Sequence, residues 1–358
     1  MTYNYKNTID YLLEWYDNNA RILPWRDNPK PYYVWISEIM LQQTRVEAVK
    51  FYFERFINAL PDIKSLAYAE EESLLKLWEG LGYYNRIRNL QKAAIKIMEE
   101  YKGVMPSDYD SLLELPGIGS YTAGAIASIA FHVPEPAVDG NVLRVMKRVA
   151  GSFDDITKAS VKKELEQDIR KIIPKERPGD FNQAVMELGA MVCIPNGKPL
   201  CMKCPIMHLC NAFHDKTEMK IPVKPSKKPR KIEEKTVLLI EKDEEYLIRK
   251  RKSSGLLAGL WELPTLEGKL SPLEVEVIFH NQGIENFKIQ KLGDVKHIFT
   301  HIEWHMTGYQ VKLKEDSKVS ENTVYSADGA AQPLWAGKKQ IEENYTLPAA
   351  FEKYRKCM

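Results

Sequence analysis

No run of apolar residues in this 358-residue chain approaches the roughly 20 that a membrane-spanning helix requires. Charge of one sign is not in excess either. Fifty-one Lys and Arg against 49 Asp and Glu leave a formal charge of +2, so no nucleic-acid partner follows from the total. A basic-then-apolar leader is missing too. The start, MTYNYKNTIDYLLEWYDNNAR, reads as an acid-bearing amphipathic helix, and a cytoplasmic protein is expected. Cysteine is scarce, with five in all, yet four of them fall between Cys193 and Cys210. In a reducing compartment such a cluster points to a bound metal rather than to disulfides. Cys357 stands apart and reads as a free thiol.

What is present is an ordinary soluble composition, 44% hydrophobic and 28% charged, in a chain too long for one core. Residues 1–215 read as almost wholly helical. VWISEIMLQQTRVEAVKFYFERF and SLLKLWEGLGYYNRIRNLQKAAIKIMEEY carry apolar residues every three or four positions, between short Gly/Pro/Asp breaks. A basic, proline-bearing stretch, KIPVKPSKKPRK at 220–231, contains no acid and is expected to be an extended, solvated linker over 216–233. Beyond it the period changes. KTVLLIEKDEEYLIRKR has the form of a hairpin around a DEE turn, and HIFTHIEWHMTGYQVKL alternates as a strand does, so residues 234–358 are expected to form a separate α/β domain.

Several groups could carry chemistry, and the residues alone leave each open. The cysteine intervals of seven, two and five residues suit an iron–sulfur cluster. They also suit zinc with help from His208 or His214. In SLLELPGIGSYTAGAIASIAF, a tight turn through Gly117 and Gly119 precedes a helix starting at Ser120. Its free N–H groups suit an anion such as phosphate, although a plain helix connection has the same pattern. Asp139, in PAVDGNVLRVMKRV, is placed to N-cap a helix, where a carboxylate is expected to stay ionised. Glu38 stands among Trp35, Ile36, Ile39, Met40 and Leu41. If it faces inward, burial raises its pKa towards neutrality; if outward, it is an ordinary surface acid. One protonated and one ionised carboxylate would together be the pair that cleaves glycosidic bonds.

Taken together, these stretches resemble the helix-hairpin-helix DNA glycosylases over nearly the whole chain. LPGIG followed by VDGNV is similar to that superfamily's hairpin and aspartate, and FNQAVMELGAMVC leads into cysteines similar to its [4Fe–4S] loop. The first interval, with seven residues, is one longer than is usual there. Within the superfamily, LPWRDNPKPYYVWISEIMLQQTRVEAV most resembles the MutY-type adenine DNA glycosylases. The resemblance implies a six-helix barrel module over about 25–135. An iron–sulfur module would be formed by the N-terminal helix with about 136–215, with Cys193, Cys201, Cys204 and Cys210 as cluster ligands. It implies that Glu38 protonates adenine, that Asp139 stabilises the sugar cation, and that Tyr121 and Asn141 orient the reacting groups. Trp25, Arg26, Leu41 and Gln183 would line the pocket for the flipped base. Gln43, Thr44, Tyr83, Arg86, Gly117 and Gly119 would contact or wedge the DNA.

Endonuclease III-type relatives carry a lysine in the hairpin's second helix, whereas Gly119-Ser120-Tyr121-Thr122-Ala123 offers no amine for a Schiff base. A monofunctional enzyme that leaves an abasic site is therefore expected. GLLAGLWELPTLEG resembles the approach to a Nudix motif, but SPLEVEVIFHNQGI lacks the acidic pairs that would hold magnesium. By resemblance, the Nudix-like domain would instead sense 8-oxoguanine through Phe299, Thr300 and His301. The implied partner is duplex DNA with adenine opposite 8-oxoguanine or guanine, met by a nucleoid-associated monomer. The alternatives are an endonuclease III-like enzyme for oxidised pyrimidines and a non-catalytic DNA-binding protein.

Overall fold

In the computed structural model, which describes residues 3–225, 229–314 and 333–358, the chain divides into two units. One comprises Met1–Tyr68 with Arg88–Ser226, the other Ala69–Ile87 with Lys227–Met358. Among the described residues no helix is long and apolar enough to cross a membrane.

The first unit is helical. Pro31 supplies the preset φ of a first helical turn and opens the helix Pro31–Leu41, which is buried on nearly every side because it is apolar all round. The hairpin forms as its residue types dictate. Asp108 accepts from the Ser111 N–H at 2.8 Å and caps Tyr109–Leu113. The turn then runs through Gly117 at φ +80°, where a Cβ would lie 2.7 Å from Asn89 Cβ. The next helix, Ser120–Phe131, is packed so closely that a Cβ on Gly124 would stand 2.0 Å from the Pro136 carbonyl oxygen. Only a residue without a side chain fits there. A separate core joins Leu12 and Tyr16 of the N-terminal helix Ile9–Asn19 to Val142, Val145 and Met146 of Gly140–Ala150 and to Phe181, Val185 and Leu188 of Pro178–Met191. Cys193, Cys204 and Cys210 pack against its edge.

The second unit contains a seven-stranded mixed sheet of β1 (Lys231–Lys242), β2 (Glu245–Lys250), β3 (Trp261–Glu262), β4 (Thr265–Glu267), β5 (Phe287–Ile298), β6 (Ile302–Leu313) and β7 (Leu334–Gly337). Its main order is β3-β2-β1-β6-β5; β4 pairs with β1, and β7 pairs with β2. Strands β1 and β6 run parallel, and the remaining pairs are antiparallel. The VLLI run of β1 is buried on both faces because one core around Leu239 and another around Leu238 sandwich it. The DEE turn exists as expected: Asp243 and Glu244 take φ +50° and +62° and join β1 to β2. Residues 299–301 form the turn between β5 and β6, outside both strands.

The expected linker over 216–233 differs at both ends. Ile221 is buried and its carbonyl accepts from Arg148 Nε at 2.7 Å, while Val223 bridges to Asp155, so this part belongs to the helical unit. At the other end β1 already begins at Lys231, because pairing with β6 satisfies its backbone there. Lys227 and Lys228 of the basic stretch lie outside the described residues.

Candidate active site

Within the helical unit, a cavity of about 650 Å³ opens between the helices that carry Glu38, Tyr121, Asp139 and Gln183. Trp25, Arg26, Leu41, Gln43, Thr44 and Asn141 also line it, so residues far apart in sequence share one wall. Glu38 faces inward, only 6% exposed, which answers the question its apolar neighbours raised. Burial, with help from the Asp139 charge and against the Tyr121 hydrogen bond, pushes its carboxyl up to about 7. Tyr121, at the start of Ser120–Phe131, donates its hydroxyl to Glu38 Oε2.

Asp139 is the N-cap of Gly140–Ala150. Its Oδ1 accepts from the Val142 N–H at 2.8 Å and its Oδ2 from Asn141 Nδ2 at 2.7 Å. Burial nevertheless raises its pKa, an effect these hydrogen bonds only partly offset. The expectation that capping alone keeps this carboxylate low is corrected by its desolvation. The difference between the two acids survives in kind. Two donors hold the anion of Asp139, whereas Glu38 has a single phenol, so Glu38 is the one that carries a proton near neutrality. Arg144 extends the support outward: it donates to Asn141 Oδ1 at 2.8 Å and to the Cys193 carbonyl at 2.8 Å.

Three lining groups were not singled out in the sequence. Glu187, 1% exposed, accepts from Arg21 Nη2 at 2.6 Å and Arg26 Nη2 at 2.9 Å. Burial pushes its carboxyl up, but the two guanidinium partners more than offset this and hold it below the ordinary value. Lys162 donates to Ser120 Oγ at 3.1 Å, while Ser120 donates to Glu166 at 2.8 Å. Lys162 is thus an amine inside the cavity, and it pairs with Glu166 at 3.6 Å. Apart from the Lys162–Glu166 pair on one helix, these partners are 42 to 166 positions apart and left no local pattern to find.

The four clustered thiols form no disulfide and line one further cavity, walled by Val145, Val149, Ile206 and Phe213. Arg148 Nη1 lies 3.2 Å from Cys193 Sγ, where a guanidinium offsets thiolate charge. Burial pushes the Cys204 thiol up to about 12 and the Cys210 thiol up to about 11. Among the described residues no three His, Cys, Asp or Glu side chains converge around a single ion.

In the second unit, Tyr83 adopts φ +47° and is half exposed, and its hydroxyl lies 3.3 Å from Thr300 Oγ1. Arg86 stacks over the Tyr83 ring at 5.6 Å and donates to the Leu81 and Gly82 carbonyls. Phe299 packs edge-on against His297 and Trp304, and His301 is exposed.

Comparison with known proteins gives a consistent set. Residues 36–171 match the HhH-GPD superfamily of base excision DNA repair proteins, and residues 236–356 match the NUDIX domain. The chain is 38% identical to the adenine DNA glycosylase of Mus musculus, covering 85% of this chain and 70% of that protein. With the adenine DNA glycosylase of Buchnera aphidicola from Schizaphis graminum it shares 35% identity, over 84% and 86% of the two chains. Among solved structures, a thermostable thymine-DNA glycosylase superposes with a TM-score of 0.54 at 27% identity, over 59% of this chain and 97% of that one. A trapped endonuclease III–DNA covalent intermediate follows at 0.51 and 28%, over 59% and 96%.

Proposed function

Because the chain belongs to the adenine DNA glycosylase family, whose activity is hydrolytic release of adenine in base excision repair, we propose that it removes adenine paired with 8-oxoguanine or guanine in duplex DNA and leaves an abasic site. The observation that carries the catalytic assignment is the buried Glu38, raised to about 7, in the same cavity wall as the capped Asp139.

The flipped adenine enters the cavity between Trp25, Leu41 and Gln183, with Arg26 held in place by Glu187. Glu38 delivers its proton to the adenine ring. The C1′–N bond then breaks with its electron pair going to the base, which leaves as neutral adenine. Positive charge develops on the sugar and is stabilised by Asp139, directly or through a transient covalent bond. Asn141 fixes the aspartate's second oxygen, and Tyr121 fixes Glu38. Water then adds to C1′, displacing Asp139 where a bond to it has formed and giving its proton to the Glu38 carboxylate, which completes the hydrolysis. The turn through Gly117 and Gly119 leads into the N-terminus of Ser120–Phe131 and suits a backbone phosphate. Gln43, Thr44, Tyr83 and Arg86 serve as duplex contacts. Phe299, Thr300 and His301, on the exposed β5–β6 turn, serve as the contact to the opposite base.

Cys193, Cys201, Cys204 and Cys210 would hold a [4Fe–4S] cluster, since all four are free and border one apolar-walled cavity beside Arg148. Such a cluster supplies cross-linking of the loop and the option of electron transfer.

Single-turnover assays on a duplex with adenine opposite 8-oxoguanine test the reading. Strand cleavage should appear only after alkali treatment. No product there, with nicking of a duplex containing an oxidised thymine, would replace it by the endonuclease III-like alternative.

A further inference from the structure

Residues 69–87 are contributed by the helical part of the sequence, yet they pack with residues 227–358 as one unit. The contacts run along one side of the helix Glu71–Leu77 and the turn after it. Glu72 Oε1 pairs with Lys250 Nζ at 2.5 Å and its Oε2 accepts from Trp261 Nε1 at 3.2 Å. Lys76 donates to the Tyr345 carbonyl at 3.2 Å. Glu79 accepts from Arg355 at 3.0 Å and from Lys76 at 2.8 Å. Spacings of four and three residues bring these groups to a single face, so the segment is tied at one end to strands β2 and β3 and at the other to the C-terminal helix Glu352–Arg355.

The segment ends in the turn that presents Tyr83. Gly80, Gly82 and Tyr83 take φ of +98°, +68° and +47°. For a tyrosine this backbone is strained, and it persists only where neighbours over-determine it. They do so here. Trp78 Nε1 donates to the Gly82 carbonyl at 3.1 Å, and Arg86 lies over the rings of both Trp78 and Tyr83, at 5.3 and 5.6 Å. The tip is then registered against the β5–β6 turn by the 3.3 Å contact between Tyr83 and Thr300.

We propose that Glu72 and Arg355 are positioning residues for lesion recognition: they clamp the segment 69–87 to the sheet-bearing unit so that Tyr83 and Thr300 meet the opposite base in fixed register. This rests on the function proposed above. The contacts of both residues described above are to protein groups. Each acts through Tyr83, so loosening the clamp should remove the advantage of 8-oxoguanine over guanine without slowing the chemistry at Glu38.

The test measures single-turnover adenine release opposite 8-oxoguanine and opposite guanine with the full chain. Glu72→Ala and Arg355→Leu should each lower the ratio of the two rates about tenfold, leave the rate opposite guanine within twofold of the parent, and preserve the melting profile. The swap Glu72→Lys with Lys250→Glu, which restores the ion pair but not the bond from Trp261 Nε1, should recover part of the ratio. An unchanged ratio in both variants, or both rates falling together, overturns the clamp. A parent protein that shows no preference for 8-oxoguanine overturns the underlying reading instead. Arg355→Leu and the charge swap keep the test decisive even if Glu72→Ala fails to fold.

Discussion

Replacing Glu38 by glutamine should abolish most activity and, at the same time, stabilise the helical unit in alkali. Burial lifts the Glu38 carboxyl from its ordinary 4.5 to about 7. The folded chain therefore binds a proton that the unfolded chain releases between those values, and stability falls as pH rises through that window. A pKa rise of this size corresponds to roughly 3 kcal/mol, lost in full above pH 7. The glutamine side chain is neutral throughout and still offers an oxygen to the Tyr121 hydroxyl, so the variant escapes this loss. At pH 8 it should resist urea by up to about 3 kcal/mol more than the parent, while at pH 4.5 the two should nearly coincide. Adenine release should drop by about 10²–10⁴, the usual contribution of a positioned general acid. In the parent, the single-turnover rate should fall about tenfold per pH unit above pH 7, as Glu38 loses its proton, and should fall again in acid as Asp139 gains one. Parallel stability curves for the two proteins would show that Glu38 does not titrate near 7. A parent rate that stayed constant from pH 6 to 9 would remove it as the acid.

Asp139→Asn should cost at least about 10²-fold in adenine release through loss of the developing charge's partner. Stability should change only modestly, because the amide oxygen still caps the Val142 N–H while the bond from Asn141 Nδ2 is lost; a large drop in melting temperature would contradict this. Cys204→Ser should give protein without the brown colour and broad absorption near 400 nm expected of the parent, with the core around Val145 and Leu188 melting first. Retained colour would exclude Cys204 as a ligand. Gly124→Ala should destabilise by about 1–3 kcal/mol, since its Cβ would stand 2.0 Å from the Pro136 carbonyl; urea titration measures it, and a neutral result would mean that this backbone yields.

Much of the fold was legible because its signals are local. The helical period up to residue 215, the Asp243-Glu244 turn between β1 and β2, and the alternation of β6 all depend on neighbours a few positions away. The helix-breaking prolines and glycines did likewise. The linker was less legible. Its composition described solvated chain, but whether Ile221 was buried depended on the distant Arg148 and Asp155. Nor did anything in SLLKLWEGLGYY announce that residues 69–87 pack with the sheet-bearing unit, because those contacts span about 180 to 280 positions.

The sequence by itself determined the types of group available: a capped aspartate before VLRV, a glutamate in an apolar helix, a glycine hairpin and four close cysteines. Capping and turn formation are short-range, so residue identity alone decides them. Only the tertiary structure decided which way Glu38 faces, that Asp139 is desolvated despite its cap, and that Arg21 and Arg26 share Glu187. Those outcomes are set by the dielectric and the partners that packing brings together across the chain, and a carboxylate's proton affinity follows its surroundings rather than its neighbours in sequence.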